Sequence, residues 1–247
     1  MDRFKFILLL FLAQCFLACD SGDIEEKNYT VNNTGKTIKL TGRVSNLDTS
    51  TDSEHRVVLA GFSDDSQYAV MQRAITTKDE DGTLDFVLSG VSSTISMVEL
   101  AITNNLRKRI LTLASIDMSL YEENTPSDTI YLEVGDIDAS LFGCIQMGIF
   151  DKACIQCHGE NGRFAGNLNL MADVSYENLV DVASTQKEGC IRIVSGDPDN
   201  SLLWQILNEG GENILHYNHT EVLSSQFKNN LDETKSFLQK WINSLVN

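Results

Sequence analysis

The sequence predicts a two-domain fold class: an N-terminal all-β sandwich over residues 28–139, followed by an all-α domain over residues 140–247. Three observations predict it. Up to about residue 139, apolar residues recur at every second position in short runs, the period of a half-buried strand. Beyond that point they recur every three or four positions, the period of an amphipathic helix. The β-like runs are separated by polar, glycine- or serine-rich breaks such as Asp79-Glu80-Asp81-Gly82 and Ser89-Gly90, which is the punctuation of a sandwich.

Residues 1–18 read as an export leader. Arg3 and Lys5 form a basic start, and Phe6 to Leu17 form an apolar run broken only by Gln14 and Cys15. That run is roughly 12 residues, too short for a bilayer core that needs about 20. The closing Phe16-Leu17-Ala18-Cys19 resembles the cleavage box of a bacterial lipoprotein, which implies that Cys19 becomes the lipidated N-terminus. Phe16 stands where that box usually has an aliphatic residue. Cys15 fits less well because Gln14 before it is not small. Residues 19–27, with Asp20, Asp23, Glu25 and Glu26, then read as an acidic tether. The resemblance implies a cell-envelope location, as an outer-membrane lipoprotein facing the periplasm or the cell surface. The lipid would be its only contact with the membrane.

In the β-domain, Ile38, Leu40 and Val44 alternate with Lys39, Thr41 and Arg43, and Gly42 falls on the inner side. Five further β-like runs follow at Arg56–Phe62, Tyr68–Thr76, Leu84–Leu88, Met97–Ile102 and Ile110–Ile116. A seventh is formed by Ile130, Leu132 and Val134 alternating with Tyr131 and Glu133. No catalytic set gathers here. His55 stands in a polar turn and reads as solvated, and the domain reads as a spacer or docking module.

In the second domain, Leu141, Ile145 and Ile149, with Phe150 beside them, form a first helical stripe. Asn200 or Ser201 caps a helix after Pro198 that buries Leu203, Trp204 and Leu207. Phe237, Leu238, Trp241, Ile242 and Leu245 form a last amphipathic stripe.

The chain carries 19 basic and 35 acidic residues, a formal net charge of −16, and loss of the leader makes it more negative. Such a surface repels nucleic acid and anionic membranes; a charged partner would be basic and salt-sensitive. An acidic coat that keeps the protein soluble accounts for the charge equally well.

The most specific feature is Cys154-Ile155-Gln156-Cys157-His158. Two thiols and an imidazole at this spacing attach a c-type haem: each cysteine forms a thioether, and the histidine reaches the iron. A redox dithiol would need the run to follow a strand in a βαβ pattern, whereas a helix is expected before it. A structural zinc site would need a second paired set of ligands, and none follows. Of six cysteines, Cys15 leaves with the leader, Cys19 takes lipid, and Cys154 and Cys157 take haem. The even remainder, Cys144 and Cys190, leaves two readings open: a disulfide in an oxidising compartment, or two small buried thiols.

Residues 140–247 resemble the class I cytochrome c domain, in particular those of large outer-membrane and periplasmic proteins. The shared features are Ile149-Phe150, Cys157-His158-Gly159, the segment Gly196-Asp197-Pro198-Asp199-Asn200-Ser201-Leu202-Leu203, and Trp241-Ile242. The resemblance implies one covalent haem c, and a first helix packed against the last. It also implies a distal ligand from a downstream loop, usually methionine. The chain departs from that pattern: the one methionine after the haem run is Met171, close behind it, and His216 and His219 occupy the expected region. Imidazole is a strong iron ligand, so bis-histidine coordination by His158 and His219 is the leading expectation, with a lower potential than His/Met ligation. His216, Met171 or water are the alternatives.

The functional expectation is a lipid-anchored electron carrier rather than an enzyme, exchanging electrons with a redox partner protein that the sequence does not identify. Two rivals differ in class. One is a haem-based ligand sensor or weak peroxidase with an open sixth position. The other is a non-enzymatic binding lipoprotein that uses its β-sandwich.

Overall fold

Alternation along Lys36–Ser45 (β1) buries Ile38, Leu40 and Val44 and turns Arg43 outward; six more strands follow. They are His55–Phe62 (β2), Met71–Ala74 (β3), Thr83–Val91 (β4), Met97–Asn104 (β5), Arg109–Asp117 (β6) and Thr129–Asp138 (β7). Of these, β2 and β5 are instead buried along nearly their whole length. The structure is a computed structural model that describes residues 35–47, 54–121, 129–208 and 210–245. The expected leader, tether and lipidated Cys19 lie outside the described residues.

The strands form two sheets, ordered β4-β1-β7 and β3-β2-β5-β6. β1 pairs antiparallel with β4 and parallel with β7, from Thr37↔Thr129 to Ser45↔Asp138. The register slips between Thr41 and Arg43, where Gly42 has φ 138 and a Cβ would lie 2.5 Å from the Gly135 carbonyl oxygen. Only glycine passes here. β3 is a short, half-exposed edge strand, so the expected run of Tyr68–Thr76 shrinks to its middle.

The helical half begins with Leu141–Ile145 (α1), capped by Ser140, whose Oγ accepts from the Gly143 N–H. A wide π-helical segment, Gln146–Cys154, continues it and ends with Ile155 N–H bonded to the Phe150 carbonyl. Then come Ile155–His158 (α2), Ser175–Leu179 (α3), Leu202–Leu207 (α4), His219–Gln226 (α5) and Leu231–Ser244 (α6). Trp241 of α6 packs against Phe142 and Phe150 at ring-centroid separations of 5.1 and 6.5 Å. Ser201 stands ahead of α4 as expected but does not cap it; its Oγ accepts from the Val194 N–H and donates to the Asp197 carbonyl.

The expected fold class is overturned. The chain is about 34% strand in two sheets and 32% helix, and the helices are mostly short, so no all-α cytochrome domain follows the sandwich. Between α3 and α4 the backbone is held by isolated bridges, Val180↔Ile193, Ala183↔Ile191 and Ile191↔Ser201. Residues 33–247 form one compact unit. One continuous apolar core runs from Ile38 and Leu40 of the sheets to Phe150, Leu238 and Trp241 of the helices, and a smaller cluster around Val58, Phe62 and Ala101 stands apart from it. The join is specific. Asn230 Nδ2 and Thr234 Oγ1 both donate to the Ile110 carbonyl, at 2.7 and 3.0 Å, and Lys108 pairs with Glu233. Gly148 lets the π segment approach β6 so closely that a Cβ would stand 3.0 Å from Leu111 Cδ1. Periodicity reports local backbone state, and it changes at residue 139 without the core changing with it.

His55 is not solvated. It is half-buried under α6, edge-on to Phe237 at 5.5 Å and 3.1 Å from Lys240 Nζ through its Nδ1.

Candidate functional site

Cys154 closes the π segment, and Cys157 and His158 lie on the single turn of α2. Wide π turns are uncommon and concentrate at functional positions; here the wide turn feeds directly into the cysteine–histidine run. The chain beyond folds back under it. Leu170 N–H donates to the His158 carbonyl at 2.8 Å, and Phe164 N–H to the Gly159 carbonyl at 3.1 Å. Gly162 allows that close return, since a Cβ there would lie 2.1 Å from the Cys157 carbonyl oxygen.

The residues singled out in the sequence meet in one cleft. Cys154, Cys157, His158, His216 and His219 all line it, and the rest of its wall is mainly leucine from α4, α5 and the neighbouring turns. Its volume is about 310 Å³, within the size range of ligand sites. Met171 does not line it. The rings of His158 and His219 are stacked, with centroids 6.1 Å apart and planes 23° from parallel.

The two imidazoles are held differently. His219 is the first residue of α5, behind the Asn218 cap that accepts from Glu221 N–H. Its Nδ1 donates to the Tyr217 carbonyl at 3.0 Å, which leaves Nε2 with the lone pair. His216 is exposed in the preceding loop. His158 Nδ1 is buried with no hydrogen-bond partner. Burial lowers the pKa of both rings; the carbonyls of Ala165 and Leu168 oppose this at His158, with His219 and Arg192 adding to the fall, and the Tyr217 carbonyl opposes it at His219. Both rings are therefore neutral at pH 7, the state in which imidazole binds metal.

Burial raises the Cys154 thiol to about 12, with Cys157 and Asp151 adding to the effect. A redox dithiol needs a stabilised thiolate, and this cysteine has the opposite environment. Among the described residues, no three side chains of the His, Cys, Asp and Glu type converge as a metal site would require. A porphyrin brings four ring nitrogens of its own, so it asks the protein only for axial ligands and anchors. Two cysteines and two neutral imidazoles on the apolar wall of one cleft fit that group.

Cys144 and Cys190 are not linked; all four described cysteines are unbonded. Cys144 is fully buried on α1, where burial and then Asp138 push its thiol up to about 12. Cys190 is half-buried in the bridged loop, its carbonyl taken by Ser184 N–H. An even count made the disulfide plausible; two separate packing environments replace it.

The sequence reading missed Arg192, which reaches the cleft from the bridged segment. Its signal was a lone cation inside Cys190-Ile191-Arg192-Ile193-Val194. Comparison with protein-family models, with curated proteins and with solved structures returned no match.

Proposed function

We propose that this protein is a one-electron carrier holding one covalently attached haem c in the leucine-walled cleft, on an export route that ends in a lipid anchor at Cys19. One observation carries the reading. The cysteine–histidine run opens into an apolar cleft that a second neutral imidazole, His219, also lines. Cys154 and Cys157 would form the thioethers, and His158 and His219 would bind the iron. When bound, the haem supplies one-electron exchange between ferric and ferrous iron.

The protein's own part is positioning and exclusion. Tyr217 orients His219 through Nδ1. Leu203, Leu207 and Leu223 would limit water around the haem, and a second imidazole in the cleft favours the carrier over a ligand sensor or peroxidase, since both of those need an open position on the iron. The strands share a core with this region, so they support the site rather than acting as a detachable binding module.

The test is an optical spectrum of protein exported with a haem-attachment system, before and after CO. A low-spin spectrum unchanged by CO in the ferrous state is expected. Rapid CO binding by the untreated ferrous protein would overturn the carrier reading.

A further inference from the structure

Gln146, the first residue of the π-helical segment, is 4% exposed, and its amide is bonded through both heavy atoms. Nε2 donates to Asp151 Oδ1 at 2.7 Å and to the Leu170 carbonyl at 2.9 Å. Oε1 accepts from the hydroxyl of Ser175, itself fully buried, at 2.6 Å. A carboxylate and a carbonyl can only accept, so the amide has one orientation here. It ties together three pieces of chain: the wide segment, the loop at Leu170 and the start of α3.

Two of these bonds bear on the cleft. Residues five apart stand about 140° from each other on an α-helix of 3.6 residues per turn, where their side chains do not meet. They do meet on a π turn, whose backbone bonds span five residues. The Gln146–Asp151 bond therefore belongs to the wide backbone alone, and that backbone delivers Cys154 to the cleft. Leu170 stands between the amide and His158. Its carbonyl accepts from Gln146, and its N–H donates to the His158 carbonyl at 2.8 Å.

We propose that Gln146 is a positioning residue for haem attachment and for the bond between His158 and the iron. This rests on the haem reading. Gln146 does not line the cleft and touches no reacting atom. It holds the width of the turn that ends at Cys154, and through Leu170 it holds the turn that carries His158. Removing outer partners of this kind costs a metal site about 10–100-fold in affinity or activity.

The test compares the parent with Gln146→Met and Thr234→Val, each exported with a haem-attachment system. Methionine keeps an unbranched side chain of similar length and makes none of the three bonds. Thr234 bonds to Ile110 and does not line the cleft, so its variant reports a loss of stability alone. Intact mass under denaturing conditions gives the fraction of chains with covalent haem. Electron paramagnetic resonance of the ferric form gives low-spin g values, which report the strength and orientation of the iron's ligands. In Gln146→Met the loaded fraction should fall about tenfold, the lower end of that range, and the loaded chains should show shifted or split g values. Thr234→Val should match the parent in both. Parental loading and g values in Gln146→Met overturn the positioning role and leave the haem reading standing. If Thr234→Val moves both readouts as far as Gln146→Met does, the effect is a general loss of stability and the positioning role falls. If Gln146→Met is not exported, Asp151→Ala, a change at an exposed side chain, replaces it, and parental values there overturn the role in the same way. A parent without haem overturns both readings.

Discussion

Replacing Asn230 and Thr234 together should cost more than the two single changes added. The Ile110 carbonyl accepts from both side chains, and both are buried. Either donor alone keeps that carbonyl satisfied, so Asn230→Ala or Thr234→Val loses about 1 kcal/mol, the net worth of one hydrogen bond. The double change leaves a buried carbonyl unpaired, which adds about 1–3 kcal/mol. The expected total is about 3–5 kcal/mol, of which about 1–3 kcal/mol is coupling. At about 2–4 °C per kcal/mol for a chain of this size, the double variant should melt on the order of 10 °C below the parent. Unfolding is followed by tryptophan fluorescence, since Trp204 and Trp241, the chain's two tryptophans, both lie in the helical half, and by far-ultraviolet circular dichroism. The two probes should report one coincident transition. Additive energies, or two separated transitions, would refute the inference that strands and helices share one cooperative core.

Gly162→Ala should lower stability by about 1–3 kcal/mol and reduce haem-loaded yield, because its Cβ would collide with the Cys157 carbonyl; an unchanged melting curve and yield would contradict the close return of that loop. Burial depresses the pKa of His55, only partly offset by Glu54, so the native ring is neutral and the unfolded chain binds more protons. Its contribution is therefore fully present above the unfolded value of about 6.5 and is lost as pH falls through the region between that value and the lower folded one. His55→Phe should flatten this acid limb of the stability curve, and an identical limb would contradict the packing under α6. His219→Ala should convert the haem to a high-spin or water-bound form that binds CO, while His216→Ala should leave the spectrum unchanged; the reverse pattern would exchange their roles.

Where side chains meet water on one face, the fold was legible. Ile38, Leu40 and Val44 announce β1 because each neighbour between them is solvated or half-solvated. The cysteine–histidine run stood out because its five residues are consecutive. Long-range matters were not. His55 reads as a turn residue because the groups that bury it, Phe237 and Lys240, stand at the far end of the chain. The boundary at residue 139 marked a real change of backbone period, but the shared core is made by Ile110, Leu111, Gly148 and Asn230, whose local patterns say nothing of one another. The short, bridged segment between α3 and α4 has no period to detect, so Arg192 and its side of the cleft stayed hidden. Counting cysteines left a bond and two buried thiols both open, and Cys144 and Cys190 stand unbonded.

Intact mass spectrometry under denaturing, reducing conditions tests covalent haem most directly, on protein exported with a haem-attachment system. The parent should carry the mass of one haem that survives denaturation, and the double variant Cys154→Ala, Cys157→Ala should carry none. A parent that folds and is exported yet shows only the polypeptide mass would contradict the assignment of this cleft to haem c.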